Sequence, residues 1–178
     1  MKTIRSLFLG IMVTSLFGCS SISSKVSKST QKDYSLARTE QQLKPGASTQ
    51  ADIARILGKP DMIAPAEKSL DVAWLYLNDK KDETRVSFIF DGHAVLKETN
   101  WWTTSGDPEN DLKIALSRFP TAHFVRTSLP WTTQHSAPDP VDFYTDDSLG
   151  VTISYYVGHK YVADISFSKP TGTLAHHE

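Results

Sequence analysis

Residues 84–102 read TRVSFIFDGHAVLKETNWW and contain two apolar stretches separated by a turn. Apolar and polar side chains alternate in the first stretch, TRVSFIF, which is typical of a β-strand that buries one face. Asp91 and Gly92 indicate a two-residue hairpin, so the chain is predicted to return as a second strand over residues 93–102. The aromatic stretch VAWLYL at residues 72–77 predicts a further strand before these two. The sequence therefore predicts a three-stranded antiparallel meander.

A short helix is predicted in front of the meander, within LKPGASTQADIARILGKPD at residues 43–61. Thr49 and Asp52 have the spacing of a capping box, with Asp in place of the usual Glu or Gln. Gly58 stands where a left-handed C-cap is expected, and Pro60 cannot continue the helix. A helix of about two and a half turns is marginal alone, so its apolar face is expected to pack on the meander.

The same order of elements, a helix followed by strands, is predicted again in the second half of the chain. Asp107 and Pro108 favour a helix start, with Asp as the N-cap and Pro at the first helical position. Apolar residues then recur at helical spacing, at Leu112, Ala115, Leu116 and Phe119. Strands are predicted at residues 122–128, 141–145, 150–157 and 161–168, with a loop at residues 129–140.

These patterns together predict an α+β fold, with short helices packed on antiparallel β-sheet in two tandem helix-then-meander units. The first unit spans residues 43–104 and the second spans residues 105–170. Residues 171–178 are predicted to form a disordered tail.

The first unit resembles the SmpA/OmlA (BamE-like) family of outer-membrane lipoproteins over about residues 43–100. The pattern is L-x-x-G, T, I-x-x-x-L-G-x-P, W-x-Y and V-x-F-x-F, and the chain departs from it by one extra residue between Gly46 and Thr49. The matching residues are Leu43, Gly46, Thr49, Ile53, Leu57, Gly58, Pro60, Trp74, Tyr76, Val86, Phe88 and Phe90. The resemblance implies a role in the assembly of the outer membrane, and two such units in tandem resemble the β-lactamase-inhibitor-protein fold.

The first 18 residues have the features of a bacterial secretory signal peptide. Lys2 and Arg5 precede an apolar run that ends at Phe17, which is too short for the roughly 20 residues of a membrane span. Cys19, the single cysteine, follows Leu16-Phe17-Gly18, which resembles the lipobox of bacterial lipoproteins. The resemblance implies that Cys19 carries acyl chains, palmitate among them, which anchor the protein in the lipid bilayer. The alternative is an ordinary signal peptide cut nearby, which would leave a free thiol.

The residues after Cys19 predict a tether and a compartment. Residues 19–42 begin with a segment rich in Ser, Thr and Lys, which is typical of a flexible linker. By resemblance to enterobacterial lipoproteins, Ser20 favours sorting to the outer membrane, with the protein facing the periplasm. Removal of residues 1–18 takes away two of the 19 basic side chains, leaves the 20 acidic ones and gives a formal net charge of −3. Such a charge argues against binding to nucleic acid, which requires a basic excess.

Residue patterns typical of enzymes or of metal sites are missing from the sequence, so we predict a protein that is not an enzyme and has no cofactor. It contains neither a nucleophile elbow nor a phosphate-binding glycine loop. The histidines show no helical i, i+4 pair, and the acidic cluster lacks the glycine and terminal Glu of a calcium loop. These residues are His93, His123, His135, His159, His176 and His177, and Asp139, Asp142, Asp146 and Asp147.

Three tryptophans are the candidate partner surface. Adjacent strand residues point to opposite faces, so Trp101 and Trp102 cannot both enter one core, and Trp131 is predicted on the loop. The non-core member of the pair, together with Trp131, is expected to mark the surface, unless the second unit covers it. Two functions remain open: a structural, assembly or protein-binding module of the cell envelope, or a tethered inhibitor-like protein directed at a hydrolase or small ligand.

Overall fold

The computed structural model describes residues 34–66, 70–78, 83–131 and 139–171. Cys19, His135, His176 and His177 therefore lie outside the described residues, as do the predicted signal peptide and most of the tail. The helices are α1 (Leu36–Gln42), α2 (Gln50–Leu57) and α3 (Leu112–Ser117), with a 3₁₀ turn at Pro108–Asn110. The strands are β1 (Met62–Pro65), β2 (Val72–Leu77), β3 (Thr84–Phe90), β4 (Leu96–Trp102), β5 (Val125–Trp131), β6 (Asp139–Asp146), β7 (Val151–Tyr156) and β8 (Tyr161–Ser168).

All eight strands belong to one antiparallel sheet, in the order β1-β2-β3-β4-β8-β7-β6-β5. The two halves of the chain meet where β4 pairs with β8. In this junction Trp101 lies opposite Ile165 and Trp102 lies opposite Asp164. The last of these strands in the sequence therefore occupies a central position in the sheet.

The prediction of an α+β fold with two tandem units was wrong. The protein is mostly β, and its short helices of seven, eight and six residues accompany one continuous sheet. The physical reason is that β4 and β8 would each present unpaired backbone N–H and C=O groups at the edge of a separate unit. Pairing β4 with β8 satisfies these groups, and the order of elements along the chain gives no sign of this pairing.

The capping box of α2 was predicted correctly, but Gly58 has a ψ of −161° and does not adopt the left-handed helical conformation that was predicted. The Thr49 side chain accepts from the backbone N–H of Asp52, and the Asp52 carboxylate accepts from that of Thr49, which completes the capping box. Gly58 has a φ of 80° at the C-cap. The Tyr76 hydroxyl donates to the Gly58 carbonyl at 2.9 Å, so the end of α2 is tied directly to β2.

The core lies on one face of the sheet, between the strands and the helices. It includes the alternating residues of β3, the apolar residues predicted for α3, and residues of β7 and β8. Its fully buried large side chains are Ile53, Tyr76, Val86, Phe88, Phe90, Leu96, Trp101, Ile153, Val162 and Ile165.

Several predicted boundaries were wrong. Strand β1 follows α2 in a segment for which no strand was predicted. The turn after β3 is longer than two residues, because the Asp91 carboxylate accepts from the backbone N–H of His93 and of Val95, and β4 starts only at Leu96. The helix predicted from Pro108 begins as the 3₁₀ turn, and Asp111 is the N-cap of α3, where its side chain accepts from Ile114.

The prediction of a flexible tether over residues 19–42 was wrong for its last part. Residues 36–42 form α1, and Tyr34 and Leu36 are buried in the core. Leu36 and Tyr34 lie within a polar stretch, in which two apolar side chains give too little periodicity to predict a packed helix. Within the described ranges, no helix is long and apolar enough to cross a membrane.

Candidate functional site

Trp101 is a core residue and is not available to a partner. Its side chain is only 1% exposed, and its indole Nε1 donates to the Tyr34 carbonyl at 2.8 Å. The guanidinium of Arg85 lies 4.1 Å from the ring centroid, which is within the range of a cation–π interaction. Of the predicted pair, Trp101 is therefore the one that packs under the helices.

Trp102 lies on the opposite face of the sheet and is half-buried. Its cross-strand neighbour is Asp164, and paired residues of this kind hold their Cβ atoms about 5 Å apart. Ser154 of β7 pairs with Asp164 from the other side. The β4–β8 junction thus brings an indole ring and a carboxyl group together on the face away from the helices.

Trp131 does not join Trp102. The prediction of a loop at this position was wrong, because Trp131 is the last residue of β5 and pairs with Asp139. Four strand spacings separate β5 from β4 in the sheet, which is on the order of 19 Å. The candidate surface is therefore reduced to the surroundings of Trp102.

A cavity of about 540 Å³ opens beside Trp102, and we call it the aromatic cavity. The hairpin between β7 and β8 contributes Tyr156 and Tyr161, which pair across the strands with ring centroids 5.3 Å apart. His159 lies in the turn of this hairpin and packs against both tyrosine rings. The described residues that line the cavity are Glu83, Thr84, Trp102, Thr103, Thr104, Tyr156, Tyr161, Ala163 and Asp164.

The aromatic cavity has an acidic character. Burial raises the pKa of Asp164 to about 6, a hydrogen bond from Ser154 lowers it, and the charge of Glu98 raises it again. Glu83 is exposed at the rim. The nearby Arg85 does not offset these charges, because its guanidinium is paired with Asp107 at 2.8 Å and also donates to the Trp102 carbonyl.

Two acidic residues of β6, Asp142 and Asp146, have structural partners. Asp142 accepts from the Ser128 hydroxyl at 2.5 Å and pairs with Arg126 at 2.7 Å. Asp146 accepts from the backbone N–H of His123 and from Ser148, and these hydrogen bonds lower its pKa. In the part of the chain that the structure describes, no group of three or more His, Cys, Asp or Glu side chains is arranged to hold a metal ion.

A second cavity, of about 570 Å³, lies on the helix side of the sheet between the α1 segment and the end of α3. Its walls are mainly apolar and include Leu43, Phe119 and Phe167. The Arg118 guanidinium in its wall lies between the carboxylates of Glu109 at 2.5 Å and Glu40 at 3.3 Å. This cavity therefore offers mainly apolar surface, and two of its charged lining residues, Glu40 and Arg118, are paired with each other.

Comparisons with known proteins assign no family to this chain. No protein-family model matches it, and no curated protein matches it. A solved structure of a DUF4309 family protein (YjgB) from Bacillus subtilis is similar, with a TM-score of 0.46 and 11% identity over 72% of this chain and 83% of that one. Similarity at this level carries no functional argument.

The resemblance to the SmpA/OmlA family was therefore wrong. No family model supports it, and the strands belong to one eight-stranded sheet rather than to a separate helix-then-meander unit. The matched residues, such as Thr49, Gly58 and Phe88, cap a short helix or fill the core. Any short helix that packs on an antiparallel sheet requires residues of these types, so the pattern does not identify a family.

The raised pKa of Asp164 predicts how stability depends on pH. The carboxyl group favours the folded state below its unfolded pKa of about 3.9, and this contribution is lost as the pH rises through about 6. Asp164→Asn, which is neutral at every pH, should therefore raise the free energy of unfolding by roughly 1–2 kcal/mol at pH 7.5 and change it little at pH 4. Urea titrations at both pH values measure the difference, with the exposed Asp147→Asn as the control. If Asp164→Asn changes the free energy of unfolding equally at the two pH values, the pKa of Asp164 is not raised in the folded protein.

Proposed function

We propose that this chain is a lipid-anchored, non-enzymatic protein-binding module of the bacterial cell envelope. Acylated Cys19 holds it at the outer membrane, and the folded part faces the periplasm. The sequence of residues 1–19 supports the anchor, since a basic start and a short apolar run lead to a lipobox-like cysteine. The partner is an envelope protein that docks at the aromatic cavity.

The position of Trp102 is the observation that carries this proposal. The core is already built on the other face of the sheet, where Trp101 and its neighbours are buried. Trp102 and two tyrosines surround a cavity on the face away from the helices, although they are not needed to fill that core. Aromatic side chains in partly enclosed pockets are typical of the residues that dominate binding energy at interfaces.

Trp102→Ala should weaken capture of the partner at least tenfold while it lowers the free energy of unfolding by about 1 kcal/mol or less. Truncation of an interface hot spot costs about 2 kcal/mol or more in binding, and a half-buried side chain contributes less to folding than a fully buried one. Capture is measured by cross-linking in cells, purification in mild detergent and mass spectrometry of the products that disappear in the variant.

Leu129→Ala is the matched control, because Leu129 is a 54% exposed apolar residue on β5, far from the cavity. Trp131→Ala tests the other predicted tryptophan and should leave capture unchanged. If Trp102→Ala captures the same proteins at the same level as the natural chain, the cavity is not the docking site.

A second candidate function is a tethered inhibitor-like protein directed at a hydrolase or a small ligand. The lining of the aromatic cavity favours it, because small-molecule sites combine aromatic side chains with a few polar or charged groups. The same cross-linking experiment separates the two candidates. If the cross-linked proteins that disappear in Trp102→Ala are envelope assembly proteins, the protein-binding module is supported. If one of them is a hydrolase, the inhibitor-like function is supported.

Cys19→Ser tests the anchor. If Cys19 is the acylated residue, the variant should lose all metabolic labelling with palmitate and should keep its signal peptide uncut by the lipoprotein peptidase. Without acyl chains, each buried methylene of which contributes about 0.8 kcal/mol to membrane binding, the variant has only its uncut signal peptide to hold it at a membrane. Ser20→Ala is the control and should retain the label. Palmitate labelling that persists in Cys19→Ser would exclude this residue as the attachment site.

A further inference from the structure

The aromatic cavity contains the two kinds of group that stabilise an organic cation. The faces of Trp and Tyr rings attract a cation that comes within about 6 Å of the ring centroid, and Trp102, Tyr156 and Tyr161 supply three such rings. Carboxylates supply the opposite charge, from Asp164 at the wall and Glu83 at the rim. Neither Lys nor Arg is among the described residues that line the cavity.

The surroundings of Asp164 lack a cationic partner in the described residues. Its paired neighbours are Trp102 on β4 and Ser154 on β7, and the charged group that acts on it from β4 is Glu98, which is also acidic. The tyrosines line the same cavity, and the His159 ring in the hairpin turn contacts both of them. A cation bound next to this partly buried carboxyl group would therefore interact with it strongly and favour its ionised form.

The hydrogen bonding of Asp164 distinguishes between types of cation. Its carboxyl group already bonds to the Ser154 side chain, so it has limited room for the two parallel hydrogen bonds that a guanidinium prefers. A quaternary ammonium group has no N–H to donate. A primary ammonium is a compact charge with three donors on a flexible stem, and its methylenes can lie along the aromatic rings.

We infer that the aromatic cavity binds the primary ammonium of a lysine side chain presented by the protein partner. This inference rests on the proposed binding function, and it names the group that the site recognises. Trp102 and the tyrosines hold the methylene stem and the cation, and Asp164 accepts the ammonium N–H. Glu83 adds a second negative charge where the stem leaves the cavity.

Binding should strengthen as the pH rises, since the ammonium pairs with the ionised carboxyl group. With an Asp164 pKa of about 6, the ionised fraction increases about tenfold between pH 5 and pH 7.5. The affinity for a lysine probe should increase by a similar factor over this interval. Asp164→Asn should remove this dependence and weaken binding at pH 7.5 at least fivefold.

The test uses the full acylated chain in detergent and the probe Nα-acetyl-lysine methylamide, with binding followed by Trp fluorescence and by calorimetry. The norleucine analogue matches the stem without the charge and should bind at least tenfold more weakly. The arginine analogue, butyltrimethylammonium and cadaverine test the guanidinium, the quaternary ammonium and a free small amine. Glu83→Gln is a second variant, and it should weaken lysine binding less than Asp164→Asn does.

Equal binding of the lysine and norleucine probes would overturn the inference, as would an Asp164→Asn variant that is folded and binds the lysine probe unchanged. Tighter binding of cadaverine, of the arginine analogue or of butyltrimethylammonium would overturn the choice of a lysine side chain. Loss of partner capture in Trp102→Ala without any lysine binding would leave the proposed function standing and reject only this inference. Capture that does not depend on Trp102 would reject the proposed function itself.

Discussion

Gly150→Ala is expected to lower the free energy of unfolding by about 2–5 kcal/mol. Gly150 lies in the turn between β6 and β7 with a φ of 66°, where a Cβ atom adds about 1–2 kcal/mol of strain. The added Cβ would also stand 2.2 Å from the Ser168 carbonyl oxygen, which belongs to the backbone and cannot rotate away. Overpacking of this kind costs about 1–3 kcal/mol, in addition to the strain.

Substitutions at two other glycines distinguish the cost of the backbone strain from the cost of the steric clash. Gly58 has a φ of 80° and a ψ of −161°, a backbone region essentially confined to glycine, and a Cβ added there would have no atom within 4 Å, so Gly58→Ala should show the strain alone, about 1–3 kcal/mol. Gly92 has no positive φ and would place its Cβ 3.6 Å from that of Leu70, so Gly92→Ala should be nearly neutral. Urea unfolding ranks the three variants. If Gly150→Ala is as stable as Gly58→Ala or more stable, the clash with the Ser168 carbonyl is relieved by a shift of the β8 backbone at little cost in free energy.

Trp101→Ala is expected to lower the free energy of unfolding by about 4 kcal/mol, as truncations of large buried side chains do. The variant loses the buried ring, the hydrogen bond to the Tyr34 carbonyl and the contact with the Arg85 guanidinium. It also leaves the Tyr34 carbonyl without this donor in a buried position, which adds to the cost. Chemical unfolding followed by far-UV circular dichroism measures the change.

The neighbouring Trp102→Ala provides the matched comparison, since the two variants remove the same side chain from opposite faces of β4. A difference of about 3 kcal/mol between them is expected, because only one of the two rings is fully buried. If both variants lose the same amount of stability, both tryptophans are structural, and the docking role of Trp102 fails.

The features that could be predicted from the sequence depend on residues close together in the chain. Thr49 and Asp52 form a capping box because both partners lie within one helical turn. Gly58 adopts a positive φ because the chain must leave the helix there. Trp101 and Trp102 occupy different environments because adjacent strand residues face opposite sides.

The sheet and the aromatic cavity depend on pairing between distant segments. Trp102 and Asp164 are about 60 residues apart in the chain, and only the register of β4 with β8 places them side by side. Tyr156 and Tyr161 each lie in a segment with a strand pattern, but no local pattern indicates that their hairpin ends beside Trp102. The alternation in VADISF places Asp164 and Ser166 on one face of the strand, but it does not indicate which side chains lie beside Asp164.

The central position of β8 has a consequence for the kinetics of folding. Until β8 is in place, β4 and β7 each lack one of the two neighbours that they have in the finished sheet. The pairing of β4 with β8 closes a loop of about 60 residues, and contacts between such distant segments give a high contact order, which slows folding. The chain therefore completes its sheet late, when β8 pairs with both β4 and β7. Until β8 is paired, the apolar surface and the unpaired edges of β4 and β7 are exposed and prone to aggregation.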